Sequence, residues 1–199
     1  MLSDEQALLD RCRRGDLDAF NRLVEAYQRR VYNLCLRLLA NREAAEDATQ
    51  NAFISAYRSF SSFRGGSFRA WLFRIAANAC YDELRRRPRA PLSLDAPLGP
   101  AQTPPDLPHP GEPLEERVQR AELGRLLQDA LAALPLDQRL VVLLRDVQGL
   151  SYEEIARAAR LPLGTVKSRI SRARDQLRRL LIARGELLPA RFRPTSEEP

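Results

Sequence analysis

Nine of the fourteen prolines fall between Pro88 and Pro113, in the stretch PRAPLSLDAPLGPAQTPPDLPHPGEP. Proline fixes its own φ and removes a backbone donor, so a segment this rich in it cannot be helical and offers little to a core. It reads as an extended linker. The 199-residue chain then divides into a domain at 1–87, a linker at 88–113, a second domain at 114–184 and a polar tail at 185–199.

Both domains read as all-α, because apolar residues recur at helical offsets and no alternating strand pattern occurs. Ser3 with Gln6 forms a capping-box start, and Gly15 can stop that helix. Phe20, Leu23, Val24, Tyr27, Val31, Leu34, Cys35 and Leu38 make one stripe along a long second helix ending near Asn41. A third helix is expected from about Arg42 to Phe60, with Ala45, Ala48, Phe53, Ala56 and Tyr57 inward. Gly65 and Gly66 break the pattern, Ser67 can cap a fourth helix, and the run Arg85, Arg86, Arg87 precedes Pro88, where that helix must end. Beyond the linker, helices at about Leu114–Leu134 and Asp137–Gln148 lead into LSYEEIARAARLPLGTVKSRISRARDQLRRLL. There Ser151 and Glu154 form a capping box, Pro162 and Gly164 mark a short turn, and a new helix begins near Thr165. Helix, short turn, helix is the outline of a helix-turn-helix.

The charge is placed to suit a polyanion. Residues 1–90 carry 16 basic and 11 acidic groups, residues 91–117 carry 1 and 5, and residues 118–182 carry 12 and 7. Two basic blocks thus flank an acidic bridge. Lys167 is the only lysine, so nearly all positive charge is guanidinium, which forks onto phosphates and stacks on bases. Cys12, Cys35 and Cys80 match neither a disulfide framework nor a metal pattern, and are expected to be buried small hydrophobes. The only histidine, His109, lies in the linker, and no phosphate-loop, zinc-protease or serine-hydrolase motif occurs, so no enzyme, metal, cofactor or small-molecule substrate is expected. Residues 1–10 lack the pattern of a secretory leader and no run of apolar residues is long enough for a membrane span, so a cytoplasmic location without membrane insertion is expected.

Two constellations carry the chemistry. Residues 164–182 hold Lys167, Arg169, Arg172, Arg174, Arg178 and Arg179 against Asp175 alone. Val166, Ile170, Ala173, Leu177 and Leu180 face inward there, which leaves Lys167, Ser168, Ser171 and Arg172 outward near the helix start, where a helix-turn-helix reads base edges. An ordinary solvated basic helix would look similar, but turn, cap and charge coincide here. The second constellation is aromatic. Phe53, Tyr57, Phe60, Phe63, Phe68, Trp71, Phe73 and Tyr81 are interleaved with Arg58, Arg64, Arg69 and Arg74. Rings that stack bases beside cations that hold a backbone suit single-stranded nucleic acid. Helical spacing assigns about half of these rings to the core, Phe53 and Tyr57 first.

The segments DATQNAFISAYRSFSSFRGGSFRAWLFRIAANACYDELRRR and GLSYEEIARAARLPLGTVKSRISRARDQL resemble regions 2 and 4 of the extracytoplasmic-function sigma factors of bacterial RNA polymerase, over about residues 5–182. The resemblance implies that Asp47, Gln50, Asn51 and Phe53 dock on core RNA polymerase, although many members carry an acid where Asn51 stands. It implies that the loop Phe63, Arg64, Gly66, Ser67, Phe68, with Trp71 and Asn78 on the next helix, holds a flipped base of the single-stranded non-template minus-ten element. Thr165, Lys167, Ser168, Arg169, Ser171, Arg172 and Arg174 would meet the duplex minus-thirty-five element of promoter DNA. The acidic linker would run toward the polymerase active-site channel. An anti-sigma factor is a frequent further partner in this family. A rival reading is a helix-turn-helix regulator that binds duplex DNA without docking on polymerase, for which the aromatic and arginine loop at 60–74 would have no use.

Overall fold

A computed structural model describes residues 4–86 and 114–183, with the side chains of 114–116 left undescribed. The linker at 88–113, the tail, Ser3 and Arg87 therefore lie outside the described residues. All regular structure among the described residues is helical: α1 Glu5–Arg13, α2 Leu17–Leu39, α3 Arg42–Arg58, α4 Phe68–Arg86, α5 Leu114–Ala132, α6 Leu136–Val142, α7 Tyr152–Ala159 and α8 Leu163–Ala183. A 3-10 turn, Phe60–Ser62, follows α3, and a π turn, Leu143–Val147, prolongs α6.

Local chemistry sets most boundaries. Asp16 caps α2 by accepting from the Ala19 amide at 3.0 Å, and Asn41 caps α3 by accepting from Ala44 at 2.9 Å. The carboxyl of Asp16 lies below the usual carboxylate range because it accepts that amide and the Arg11 guanidinium. Ser67 caps α4 by accepting from Ala70 at 3.2 Å. The capping box expected at Ser151 and Glu154 is closed in both directions, at 3.1 and 2.8 Å.

Other boundaries differ from the sequence reading. The first helix begins at Glu5 behind Asp4, which makes no side-chain cap bond. α8, the second helix of the helix-turn-helix, begins at Leu163 rather than Thr165, because the Pro162 carbonyl already accepts from Val166 at 3.1 Å. Gly164 consequently lies inside the first turn of α8. The left-handed residue of the helix-turn-helix is Arg160, at φ 54°.

α1 to α4 pack as one helical group, and α6 to α8 as another with α5 alongside. The line Ala44, Ala48, Ala52, Ala56 on α3 is essentially buried. Small side chains at four-residue steps let α3 approach its neighbours closely. That close approach pushes larger rings off the contact line, which corrects the expectation for Phe53 and Tyr57: Phe53 is half-buried and Tyr57 is 50% exposed. Tyr57 instead meets Phe20 edge-on at 5.1 Å. Of the eight aromatic residues between Phe53 and Tyr81, the buried ones are Phe60, Phe63, Phe68, Trp71 and Phe73, and Phe20 and Tyr27 of α2 are buried with them. Cys35 and Cys80 are buried as expected, while Cys12 is half-buried.

The two groups are not apart. They share one continuous core, in which α4 packs on α7 and α2 packs on α5 and α6.

Candidate nucleic-acid and polymerase interfaces

α8 is held by Val166, Ile170 and Ala173, all buried against the rest of its group. That placement leaves Lys167, Ser168, Ser171 and Arg172 exposed along one face at the helix start, while Thr165 is half-buried. Ser168 donates to the Thr165 carbonyl at 3.1 Å. Arg169 and Arg174, although expected with this set, are tied to acids of their own domain. Arg169 pairs with Asp137 on α6 at 3.0 Å, and Arg174 grips Asp146 in the π turn through Nε and Nη2 at 3.1 and 2.5 Å. The cationic groups at the exposed start of α8 that have no ion pair among the described residues are therefore Lys167 and Arg172. Neither acid was singled out in the sequence, since a pairing across 28 or 32 positions leaves no local signal.

The loop between the 3-10 turn and α4 turns on Gly65 and Gly66, at φ +100° and +84°. A Cβ at either position would meet nothing within 4 Å, so the requirement is the backbone angle and not space. Beside the loop is a cavity of about 270 Å³, lined by Phe63, Arg64, Gly66, Ser67, Trp71 and Arg74 and also by Arg157 and Ala158 of α7. Phe63, Phe68 and Trp71 are 5%, 2% and 9% exposed and lie 5.4–5.7 Å from one another at tilted or edge-on angles. They form the floor of the loop rather than open stacking faces, and the Arg13 guanidinium lies 5.8 Å from the Phe63 ring centre. The polar groups this loop turns outward are those of Arg64, Gly65 and Gly66, while Ser67 is half-buried and engaged by the Ala70 amide and the Glu154 carboxylate. Asn78 is exposed and lines a second, smaller cavity with Tyr81, Arg160, Leu161 and Arg169, and Ala158 walls both cavities.

On α3, Asp47, Gln50 and Asn51 are exposed on the side away from the alanine line, with Phe53 half-buried beside them. Ile54 and Tyr57, 41% and 50% exposed, extend that surface one turn further. The sequence reading placed Tyr57 in the core and passed over Ile54. Their signal was an aromatic residue seven positions after Gln50 and a branched apolar residue seven positions after Asp47, two helical turns on along the same side. An exposed strip of this mixed kind suits a protein partner. No helix among the described residues is long and apolar enough to cross a membrane, and these residues hold no cluster of metal-ligating side chains.

Comparison with known proteins bears on all three surfaces. The family models described as Sigma-70 region 2 and Sigma-70, region 4 match residues 23–90 and 124–177. The chain is 38% identical over 190 residues to the RNA polymerase sigma-H factor of Pseudomonas aeruginosa, covering 91% of this chain and 96% of that protein. It is 40% identical over 177 residues to the ECF RNA polymerase sigma-E factor of Escherichia coli K12, covering 87% and 92%. Among solved structures it is similar to CnrH in complex with the cytosolic domain of CnrY, with a TM-score of 0.66, 25% identity, and 91% and 99% of the two chains covered. It is also similar to the sigma factor RpoE in complex with the anti-sigma factor NepR from Bartonella quintana, with a TM-score of 0.64, 28% identity, and 83% and 98% covered. Two sigma regions in the family's order, with relatives matched over nearly their whole length, leave one assignment: the chain belongs to the extracytoplasmic-function sigma factors of the sigma-70 family.

Proposed function

We propose that this chain binds core RNA polymerase and directs it to promoters, reading duplex DNA with one domain and unpaired DNA with the other. The observation that carries this reading is the pairing of two unlike surfaces on one chain. One is the exposed start of α8, with Lys167, Ser168, Ser171 and Arg172. The other is a glycine-turned loop over an aromatic floor, with arginines at its rim. A plain duplex-binding regulator needs only the first.

The roles divide along the proposed domains. Residues 1–87 dock through Asp47, Gln50, Asn51 and Phe53, joined by Ile54 and Tyr57. The loop Phe63 to Phe68 takes a base of the minus-ten strand against Arg64, Gly66 and Ser67, and Asn78 reads it. Phe63, Phe68 and Trp71 support that loop from beneath. Residues 114–184 read the minus-thirty-five element through Lys167, Ser168, Ser171 and Arg172, with Thr165 at the helix start. Arg169 and Arg174 brace the reader helix through Asp137 and Asp146. The linker 88–113 joins the two domains. No step requires catalysis by the chain itself; strand opening is driven by binding, since a captured base offsets its unstacking cost of a few kcal/mol. The work is cytoplasmic, where polymerase and promoters are, and an anti-sigma factor is the natural inhibitory partner.

Two outcomes test the assignment of residues. Alanine at both Gln50 and Asn51 is expected to lower core-polymerase affinity about tenfold or more, measured by competition for fluorescent core. Duplex binding by the reader helix should be untouched, and equal core affinity in variant and parent would remove α3 from the docking surface. Arg172→Ala is expected to cost about 1–3 kcal/mol at a cognate upstream element and to relax selectivity at one base pair. Arg178→Ala should weaken all duplexes alike, because it stands beyond the first turns of α8. A uniform loss in both would mean that Arg172 holds phosphate only.

A further inference from the structure

Lys167 is the one lysine among the 32 lysines and arginines of the chain. It stands at the exposed start of α8, where Arg172 on the same face carries the guanidinium that the chain uses at every other cationic position. For holding DNA alone, lysine is no improvement there. A guanidinium forks onto two acceptors of a base or a phosphate, whereas an ammonium places one charge at the end of a flexible stem. What lysine has and arginine lacks is an amine that can give up its proton and attack an activated carbonyl carbon.

The surroundings leave that amine open. In a helix the side chain leans back over the preceding turn, and three residues before Lys167 stands Gly164, which has no side chain to shade it. Even a Cβ at Gly164 would meet nothing within 4 Å. Arg169 and Arg174 are engaged by Asp137 and Asp146, but Lys167 has no ion pair among the described residues. Glu153, exposed in the first turn of α7, lies within electrostatic reach of both Lys167 and Arg157. Its carboxyl is held below the usual range by its own backbone amide and the Ser151 hydroxyl, and then by those two cations. It stands near Lys167 without capping it. Arg157 and Arg172, both exposed, outnumber this acid, and a small anion gathers where one sign of charge prevails.

We propose that Lys167 is a covalent modification site, at which an acyl phosphate transfers its acyl group to Nζ and so releases α8 from the upstream element. The transfer balances without a cofactor. The ammonium first gives one proton to water, and the freed lone pair forms a bond to the carbonyl carbon. The bond from that carbon to the bridging oxygen breaks, phosphate leaves with the electron pair, and a second proton passes from nitrogen to water. The product is a secondary amide with one N–H and no charge. It no longer holds a phosphate as a cation does, and it adds bulk on the side of α8 that enters the groove. The acylation does not depend on what the chain does, whereas its consequence for promoters rests on the functional reading above.

The test treats the full chain with acetyl phosphate, alongside full-length Lys167→Arg. Peptide mass mapping separates the single lysine from the N-terminal amine. Acetylation of Lys167 is expected to run about threefold or more faster in the folded chain than in urea, because the folded cations gather the anionic donor. Affinity of the treated parent for a duplex with its cognate upstream element should fall about tenfold, and its salt dependence should flatten by roughly one phosphate contact. Lys167→Arg should bind equally before and after treatment, whatever its starting affinity. Acetylation no faster in the folded chain than in urea would overturn the site. An equal loss on treating Lys167→Arg would also overturn it, by placing the effect at the N-terminal amine, and so would an acetylated parent that keeps its full affinity. A parent that takes the acetyl group at Lys167 but recognises no duplex before treatment would overturn the functional reading instead and leave the modification site supported.

Discussion

Replacing Phe68 by alanine is expected to lower the unfolding free energy by about 3–5 kcal/mol, the range for deleting a buried aromatic ring. Phe68 is 2% exposed and is met by Tyr27 at 5.5 Å, Phe63 and Trp71 at 5.7 Å and Phe60 at 6.2 Å. No one neighbour can fill the void, because each is fixed by the others and by the backbone of α2, α4 or the turn between α3 and α4. Natural domains have only about 5–15 kcal/mol in total, so the loss is a large share. Trp71 is the only tryptophan and touches the deleted ring, so urea denaturation followed by its fluorescence reads the change directly. A loss below about 1 kcal/mol would mean that the aromatic floor is not part of the core. Because the floor carries the glycine turn, the same variant should also lose affinity for the minus-ten strand in the temperature range where it remains folded.

The second large effect is on strand opening. Asn78 is exposed on α4, one wall away from the loop cavity, and makes no hydrogen bond among the described residues, so its amide is available to a base. Removing it leaves α4 and the reader helix intact. Asn78→Ala is therefore expected to form closed complexes as the parent does, through duplex contacts, but to open them about tenfold less well. The missing interaction is one of those that offset a few kcal/mol of unstacking. Permanganate reactivity of unpaired thymines at a cognate promoter measures this. Parent-like opening with parent-like base preference would make Asn78 a surface residue without a role and would shift minus-ten reading onto Arg64 and Ser67.

The features legible in the sequence are those encoded by neighbours in the chain. The capping box at Ser151 and Glu154, the cap at Ser67, the stripe of α2 and the outward set on α8 depend on spacings of three and four, and all stand where spacing put them. What spacing could not rank was size against closeness. Both Ala56 and Tyr57 fit an inward line on α3, and the helix packs on its alanines, which turns Tyr57 out to 50% exposure. Arg160 gave no sign of its left-handed conformation, because arginine is not a residue that marks such a turn.

The pairing of Arg169 with Asp137 and of Arg174 with Asp146 was hidden for a different reason. A run of basic residues on one helix shows how much charge is present, but not which charges are already spent within the fold. The contact between domains was the least visible of all. Gln128 and Arg139 reach backbone carbonyls 91 and 101 positions away, and a carbonyl has no residue type to recognise.

The measurement that bears most directly on the central claim is runoff transcription by core RNA polymerase on a genomic promoter library, with and without this protein. The account predicts discrete transcripts that start only when the protein is present, from templates sharing one upstream and one downstream element. It further predicts that these transcripts fall together when Gln50 and Asn51 are both alanine. The same transcripts with and without the protein, alongside specific binding of the protein to duplex DNA, would contradict it and leave a regulator that never docks on polymerase.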